Sequence, residues 1–257
     1  MLNVIAVPAF QDNYLWVLHA EGTRDCYVVD PGDAVVIEAA LTEQDLNLSG
    51  ILLTHHHWDH TGGVEALTAK RSIPVYGPNS ANIPHVTHAV GEGNEVCLEG
   101  GLTLTILEVP GHTLDHIAYF EPESHSVFCG DALFAGGCGR MFEGTAPQMQ
   151  ASLAKLAALP ETTRIYCAHE YTQANLSFAM AVEPDNRALA ERVALVARQR
   201  ADGVRTVPSL LSDELATNPF LRWASPQVIA SAAQHVGESL SAPQEVFAAL
   251  RGWKDNF

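Results

Sequence analysis

Residues 54 to 60 read THHHWDH, which places four histidines and an aspartate within six positions. Imidazoles and carboxylates are costly to bury and pack poorly, but they are the usual ligands of Zn2+ and other first-row divalent ions. In the pattern H-x-H-x-D-H, side chains two apart on an extended segment share one side. The spacing therefore suits His55 and His57 to one ion, and Asp59 and His60, turned by the following loop, to a second. A dinuclear site needs further donors. His112 follows LTILEVPG, Asp131 follows SVFCG and His169 follows RIYCA, each just past an apolar β-like run, as the cluster itself follows GILL. His116, in GHTLDH, is either a group that orients a ligand or a satisfied core histidine. The remaining His19, His56, His85, His88, His125 and His235 are expected on the surface or in structural roles.

The elements that must hold these donors alternate through the first two-thirds of the chain. Val4 to Val7, Leu15 to Leu18, Cys26 to Val29, Ile51 to Leu53, Val75 to Tyr76, Leu102 to Val109, Ile117 to Phe120 and Val127 to Cys129 are strand-like. They are punctuated by PGD, GEGN and EGG. Helical patterns fall at 34–44, 62–70 and 147–158, the last with Pro147 in its first turn and a stop at Pro160. Beyond residue 170 the pattern turns helical, at 172–182, 185–201, 225–236 and 243–252, with Asp185 as the expected N-cap of the second. Mixed α/β followed by helices reads as an α+β chain, with a catalytic domain over 1–170 and a helical domain over 171–257.

Composition narrows the function. A hydrophobic content of 47% over 257 residues fills an ordinary globular core. No run approaches the roughly 18 apolar residues of a membrane span, and MLNVIAVPAF lacks a basic leader, so no membrane contact and a cytoplasmic location are expected. Five scattered cysteines without a C-x-x-C pair suit free thiols in a reducing compartment. A net charge of −16 disfavours nucleic acid, and an anionic substrate must find a local patch among only 14 Lys and Arg.

The set H-x-H-x-D-H, His, Asp, His resembles the metallo-β-lactamase superfamily. That resemblance implies an αββα sandwich in which His55, His57 and His112 bind one ion, Asp59, His60 and His169 bind the other, and Asp131 bridges them. Zn2+ is the expected metal, with Fe or Mn as alternatives. Within the superfamily, GDALFAGGCGRMFEGTA at 130–146, AHEYT at 168–172, NPFLR at 218–222, the tail RGWKDNF, QDNY at 11–14 and DPGD at 30–33 are similar to glyoxalase II, the hydroxyacylglutathione hydrolases. This resemblance implies hydrolysis of S-D-lactoylglutathione to D-lactate and glutathione by a hydroxide shared between two metals. Asp59 would orient that hydroxide, and the chain would act as a monomer. Arg140, Phe142, Tyr171, Arg251 and Lys254 occupy the positions that hold the glutathione tripeptide. Phe142 replaces a tyrosine common in the family, and Asp115 replaces a glycine common in GHT-x-GH, which puts a carboxylate near His112 and His116.

Overall fold

The computed structural model describes residues 1–257, which divide into two compact units. One comprises Met1–Glu108 and Asp115–Gly130; the other comprises Val109–Leu114 and Asp131–Phe257.

The first unit opens with three antiparallel strands, β1 (Leu2–Ala9), β2 (Asn13–Ala20) and β3 (Asp25–Val29). Helix α1 (Ala34–Gln44) then crosses over to β4 (Asn47–Leu52), which lies parallel to β3. Asp33 caps α1 by accepting from Val35 N–H at 2.8 Å, and Asp45 ends it in the left-handed region at φ 55°. Two short helices, α2 (Trp58–Thr61) and α3 (Val64–Thr68), lead to β5 (Val75–Pro78) and β6 (His88–Val90), and the sheet runs β1-β2-β3-β4-β5-β6. The strands β7 (Glu95–Cys97), β8 (Thr103–Glu108), β9 (Ile117–Glu121) and β10 (Ser126–Gly130) form an antiparallel meander.

Strands β2 and β3 are buried on both faces, so the six-stranded sheet needs cover on both sides. On one face Leu15, Val17, Val28, Ile51 and Leu53 pack with Ile37 and Leu41 of α1 and Val64 and Leu67 of α3. On the other, Trp16, Leu18, Tyr27 and Val29 are buried, and Tyr119 of β9 donates its hydroxyl to the Leu53 carbonyl at 2.8 Å. The meander is thus the second sheet of a sandwich.

The second unit holds the hairpin of β11 (Leu133–Phe134) and β12 (Gly137–Cys138), then α4 (Ala146–Ala157), whose N-terminus carries a Thr145/Gln148 capping box. Strand β13 (Arg164–Cys167) pairs with β14 (Ser209–Leu210). The rest is helical: α5 (Thr172–Val182), α6 (Arg187–Ala201), α7 (Leu211–Thr217), a 3-10 turn at Pro219–Leu221, α8 (Pro226–Val236) and α9 (Pro243–Asp255). The chain is α+β with a helical C-terminal region, as the sequence indicates. Two local expectations differ. Asn186, not Asp185, caps α6, because its side chain accepts from Leu189 N–H at 3.1 Å. The helix expected over 62–70 breaks at Gly62 and Gly63, and part of it starts early as α2. At Gly63 an added Cβ would lie 2.4 Å from the Pro31 carbonyl, so the loop after the histidines interlocks with the DPGD loop.

Candidate metal centre

The first unit contributes a local set of donors. Leu53 continues β4, and Thr54 and His55 follow it into the core with no exposed surface. His57 is still extended (φ −61°, ψ 147°), but residues 58–61 coil into α2, with the amides of His60 and Thr61 both 3.1 Å from the His57 carbonyl. The extended H-x-H thus gives way to a helical turn before Asp59 and His60. His55 meets His57 edge-on at 4.7 Å and His60 at 4.1 Å between ring centroids.

The orientation of this set comes from Asp30, which has no role in the sequence reading beyond its place in DPGD. Asp30 is buried at the end of β3 in the left-handed region, φ 51°. Its Oδ1 accepts from Thr54 N–H at 2.8 Å, and its Oδ2 accepts from Thr54 Oγ1 at 2.7 Å. That hydroxyl has one proton and spends it on Asp30, so it accepts from His55 Nδ1 at 3.0 Å. His60 Nδ1 donates to Asp30 Oδ2 at 2.9 Å. One carboxylate therefore sets the tautomers of two rings and leaves each with Nε2 to offer a cation. Asn13 Nδ2 similarly donates to Asp59 Oδ2 at 2.9 Å. The available signal was position: Asp30 follows an apolar strand just as the predicted donors do.

Asp115 pairs with His56, whose Nδ1 lies 2.9 and 3.0 Å from its two oxygens, and so steadies the histidine between the two expected ligands. His116 donates Nδ1–H to the carbonyl of Ile117 at 3.0 Å and stacks on His55 at 4.5 Å and 14°, which makes it a buried support for that ring.

The second unit contributes donors from three separate segments. His112 sits on a loop anchored by Ser152 of α4, which donates to the Pro110 carbonyl at 2.7 Å. Its Nδ1 donates to the Arg140 carbonyl at 2.7 Å, leaving Nε2, which lies 3.4 Å from Asp131 Oδ2. The other Asp131 oxygen, Oδ1, lies 3.4 Å from His169 Nε2. In the first unit, His60 Nε2 and Asp59 Oδ2 are also 3.4 Å apart. A charge-assisted hydrogen bond would draw such a pair to about 2.7–2.9 Å. Two donors about 2.1 Å from one tetrahedral ion stand about 3.4 Å apart. The donor sets of both units thus fit divalent metal, and Asp131 presents a separate oxygen beside each of two histidines.

The positions expected to hold a tripeptide all fall in the second unit. Arg140 is 64% exposed at its side chain, with its guanidinium 5.8 Å from the exposed ring of Phe142 and Nε 4.0 Å from Asp255. Tyr171 stacks on His169 at 4.8 Å and 3° with part of its ring exposed. Lys254 Nζ donates to the Ala174 carbonyl at 3.3 Å and lies over the rings of Phe178 and Phe257. Partial burial, and then the nearby Arg251 charge, lower its pKa. Arg251 lies on α9. It is buried, with NH1 donating to the Cys138 carbonyl at 3.2 Å and NH2 and Nε donating to Asp255 at 2.9 and 3.2 Å.

Comparison with known proteins accounts for the whole length. Residues 9–169 match the family model of the metallo-beta-lactamase superfamily, and residues 170–257 match that of the hydroxyacylglutathione hydrolase C-terminus. The chain is 53% identical to a hydroxyacylglutathione hydrolase of Pseudomonas aeruginosa over 259 aligned residues, covering 100% of both chains. It is 54% identical to one of Alkalilimnicola ehrlichii, covering 99% of each. A di-iron-bound crystal structure of TTHA1623 is 28% identical with a TM-score of 0.54, over 65% of this chain and 91% of that one.

Proposed function

The chain belongs to the hydroxyacylglutathione hydrolases of the metallo-β-lactamase superfamily, and from that membership we propose that it hydrolyses S-D-lactoylglutathione to D-lactate and glutathione. This is the second step of methylglyoxal detoxification, and it runs in the cytoplasm on a monomer. The observation that carries the reading is the match of residues 170–257 to the hydroxyacylglutathione hydrolase C-terminus, beside 53% identity over the full length to a hydroxyacylglutathione hydrolase.

His55, His57 and His112 would hold one metal ion and Asp59, His60 and His169 the other, with Asp131 beside both. The two 3.4 Å spacings at Asp131 support that division. Zn2+ suits five imidazoles and two carboxylates, and the di-iron-bound TTHA1623 favours iron as the alternative. When bound, such a pair supplies ionised water near neutral pH and a polarised thioester carbonyl.

The remaining work belongs to side chains. Asp30 and Thr54 keep Nδ1 of His55 and His60 protonated, so neither ring can turn its donor atom away. Asp59, fixed by Asn13, accepts a hydrogen bond from the attacking water and aims it at the carbonyl carbon. The departing thiolate of glutathione is a weak base, so no residue is required to protonate it in the transition state. Arg140, Tyr171 and Lys254 grip the tripeptide, with the Arg140 fork suited to a carboxylate. Phe142 offers a ring without the hydroxyl that would add a hydrogen bond. The helical region over 171–257 is on this reading the glutathione-binding domain, completed by Arg140 of residues 1–170, which carry the hydrolysis.

The test is turnover of S-D-lactoylglutathione beside a simple thioester without the tripeptide. Rapid hydrolysis with a strong preference for the glutathione form is expected. Equal rates on both, or none, would overturn the assignment.

A further inference from the structure

We infer that Asp115 is a positioning residue for one of the two metal ions. Through His56 it clasps residues 54–57 in place, and so strengthens the ion assigned above to His55, His57 and His112 over the other. The inference rests on that division of ligands and gives a task within it to the carboxylate that stands where GHT-x-GH commonly has glycine.

Residues 115–117 meet residues 54–56 in antiparallel order, one residue to one residue. Ile117 N–H donates to the Thr54 carbonyl at 2.9 Å. His116 stacks on His55 at 4.5 Å between centroids and 14° between planes. The two oxygens of Asp115 lie 2.9 and 3.0 Å from His56 Nδ1. An ionised carboxylate can only accept, so His56 Nδ1 carries a proton and donates it. The contacts are of three kinds, backbone, ring and charge, yet they follow a single register. Close packing holds them: an added Cβ on Gly130 would lie 2.4 Å from Thr54 Oγ1 and 2.9 Å from the His116 ring. The side chains of His56 and Asp115 are only 18% and 13% exposed, which strengthens a hydrogen bond to a charged acceptor.

The clasp bears unequally on the two proposed ions. His56 sits between His55 and His57, and Asp115 follows His112 by three residues, so the ligands assigned to one ion all lie on or beside the two segments. Asp59 and His60 come after His57, in α2, and are held by other groups, Asn13 and Asp30. With glycine at 115 the register would end at the stack of His116 on His55, two residues short of His57. The carboxylate carries it on to His56. His57, the next residue, is extended and only partly buried, so it gains most from a fixed neighbour.

Stepwise binding of Zn2+ to metal-stripped protein, read by chelator competition, tests the clasp. Asp115→Ala is expected to weaken one ion about 10–100-fold, the scale of an outer partner, and to leave the other within about threefold. Asp115→Asn keeps an acceptor for His56 Nδ1–H and should hold both ions within about threefold of the unmutated protein. His56→Ala should weaken the same ion as Asp115→Ala, and the two substitutions together should cost no more than either alone, since both remove one contact. In metal-free protein, amides 55–57 should exchange faster in Asp115→Ala than in Asp115→Asn. Equal weakening of both ions, multiplying effects of the two substitutions, or unchanged affinities and exchange beside a lowered thermal midpoint would each overturn the inference. A single ion in the unmutated protein would remove the division on which it rests. Failure of the proposed function would instead appear as two bound ions without turnover of the glutathione thioester, which leaves the clasp standing.

Discussion

The two units prepare their donors in opposite ways. In the first, four donors lie within residues 55–60, and one buried carboxylate, Asp30, orients two of the rings through side-chain hydrogen bonds. In the second, the donors are spread from residue 112 to residue 169, and backbone orients them: His112 leans on the Arg140 carbonyl, and Asp131 sits at the foot of a hairpin braced by helices. The first set is a motif and the second is an assembly. A motif depends on a few side chains and is indifferent to the substrate. An assembly built on the segment that also presents Arg140 would tie the proposed metal ligands to the proposed recognition of glutathione.

Substitutions can break this contrast in order of severity. His169→Ala removes a donor from the assembly outright. Activity should fall by at least about three orders of magnitude, beyond the 10–100-fold typical of an outer partner, as read by steady-state kinetics on metal-analysed protein. Asp30→Asn keeps an acceptor for Thr54 but places an amide N–H against His60 Nδ1–H or Thr54. Metal affinity, measured by chelator competition, should drop about 10–100-fold while the KM for glutathione thioester in fully loaded protein stays within about twofold. A large KM effect would mean that the first unit is not indifferent to the tripeptide. Lys254→Ala acts on recognition alone. It should raise KM for the glutathione thioester about tenfold, as for a charged hydrogen bond, and leave a simple thioester unchanged. Phe142→Tyr, the smallest change, restores a hydroxyl and should lower KM about fivefold, equivalent to about 1 kcal/mol. An unchanged KM would place that ring outside hydrogen-bonding reach of the substrate.

The same contrast explains what could be read before the structure. His55, His57, Asp59 and His60 are legible because their spacing is itself the signal, and the strands that carry them are continuous apolar runs. His112, Asp131 and His169 are legible only as a repeated position, each just past such a run. Asp30 shares that position but carries no distinct signal, because one aspartate in a PGD turn is also what a plain turn requires. Helix α7 and strand β14 are not legible in the sequence: each is short, and their residues are set by the hairpin and by β13. The division into compact units at 108, 114 and 130 leaves no mark in composition, whereas the turn to helices near 170 does. Arg251 shows the limit most clearly. From the tail alone a basic residue near a C-terminus reads as an exposed charge, the resemblance moves it to the tripeptide, and only packing reveals that its fork also bonds Cys138 and Asp255.

The central claim is the proposal that the chain binds two metal ions, with Asp131 among their ligands. It is tested most directly by counting metal per chain in the unmutated protein and in Asp131→Ala, side by side with thioester turnover. Two ions per chain, with loss of both metal and activity when Asp131 is removed, is the predicted result. A single ion, or undiminished metal and turnover in Asp131→Ala, would contradict it.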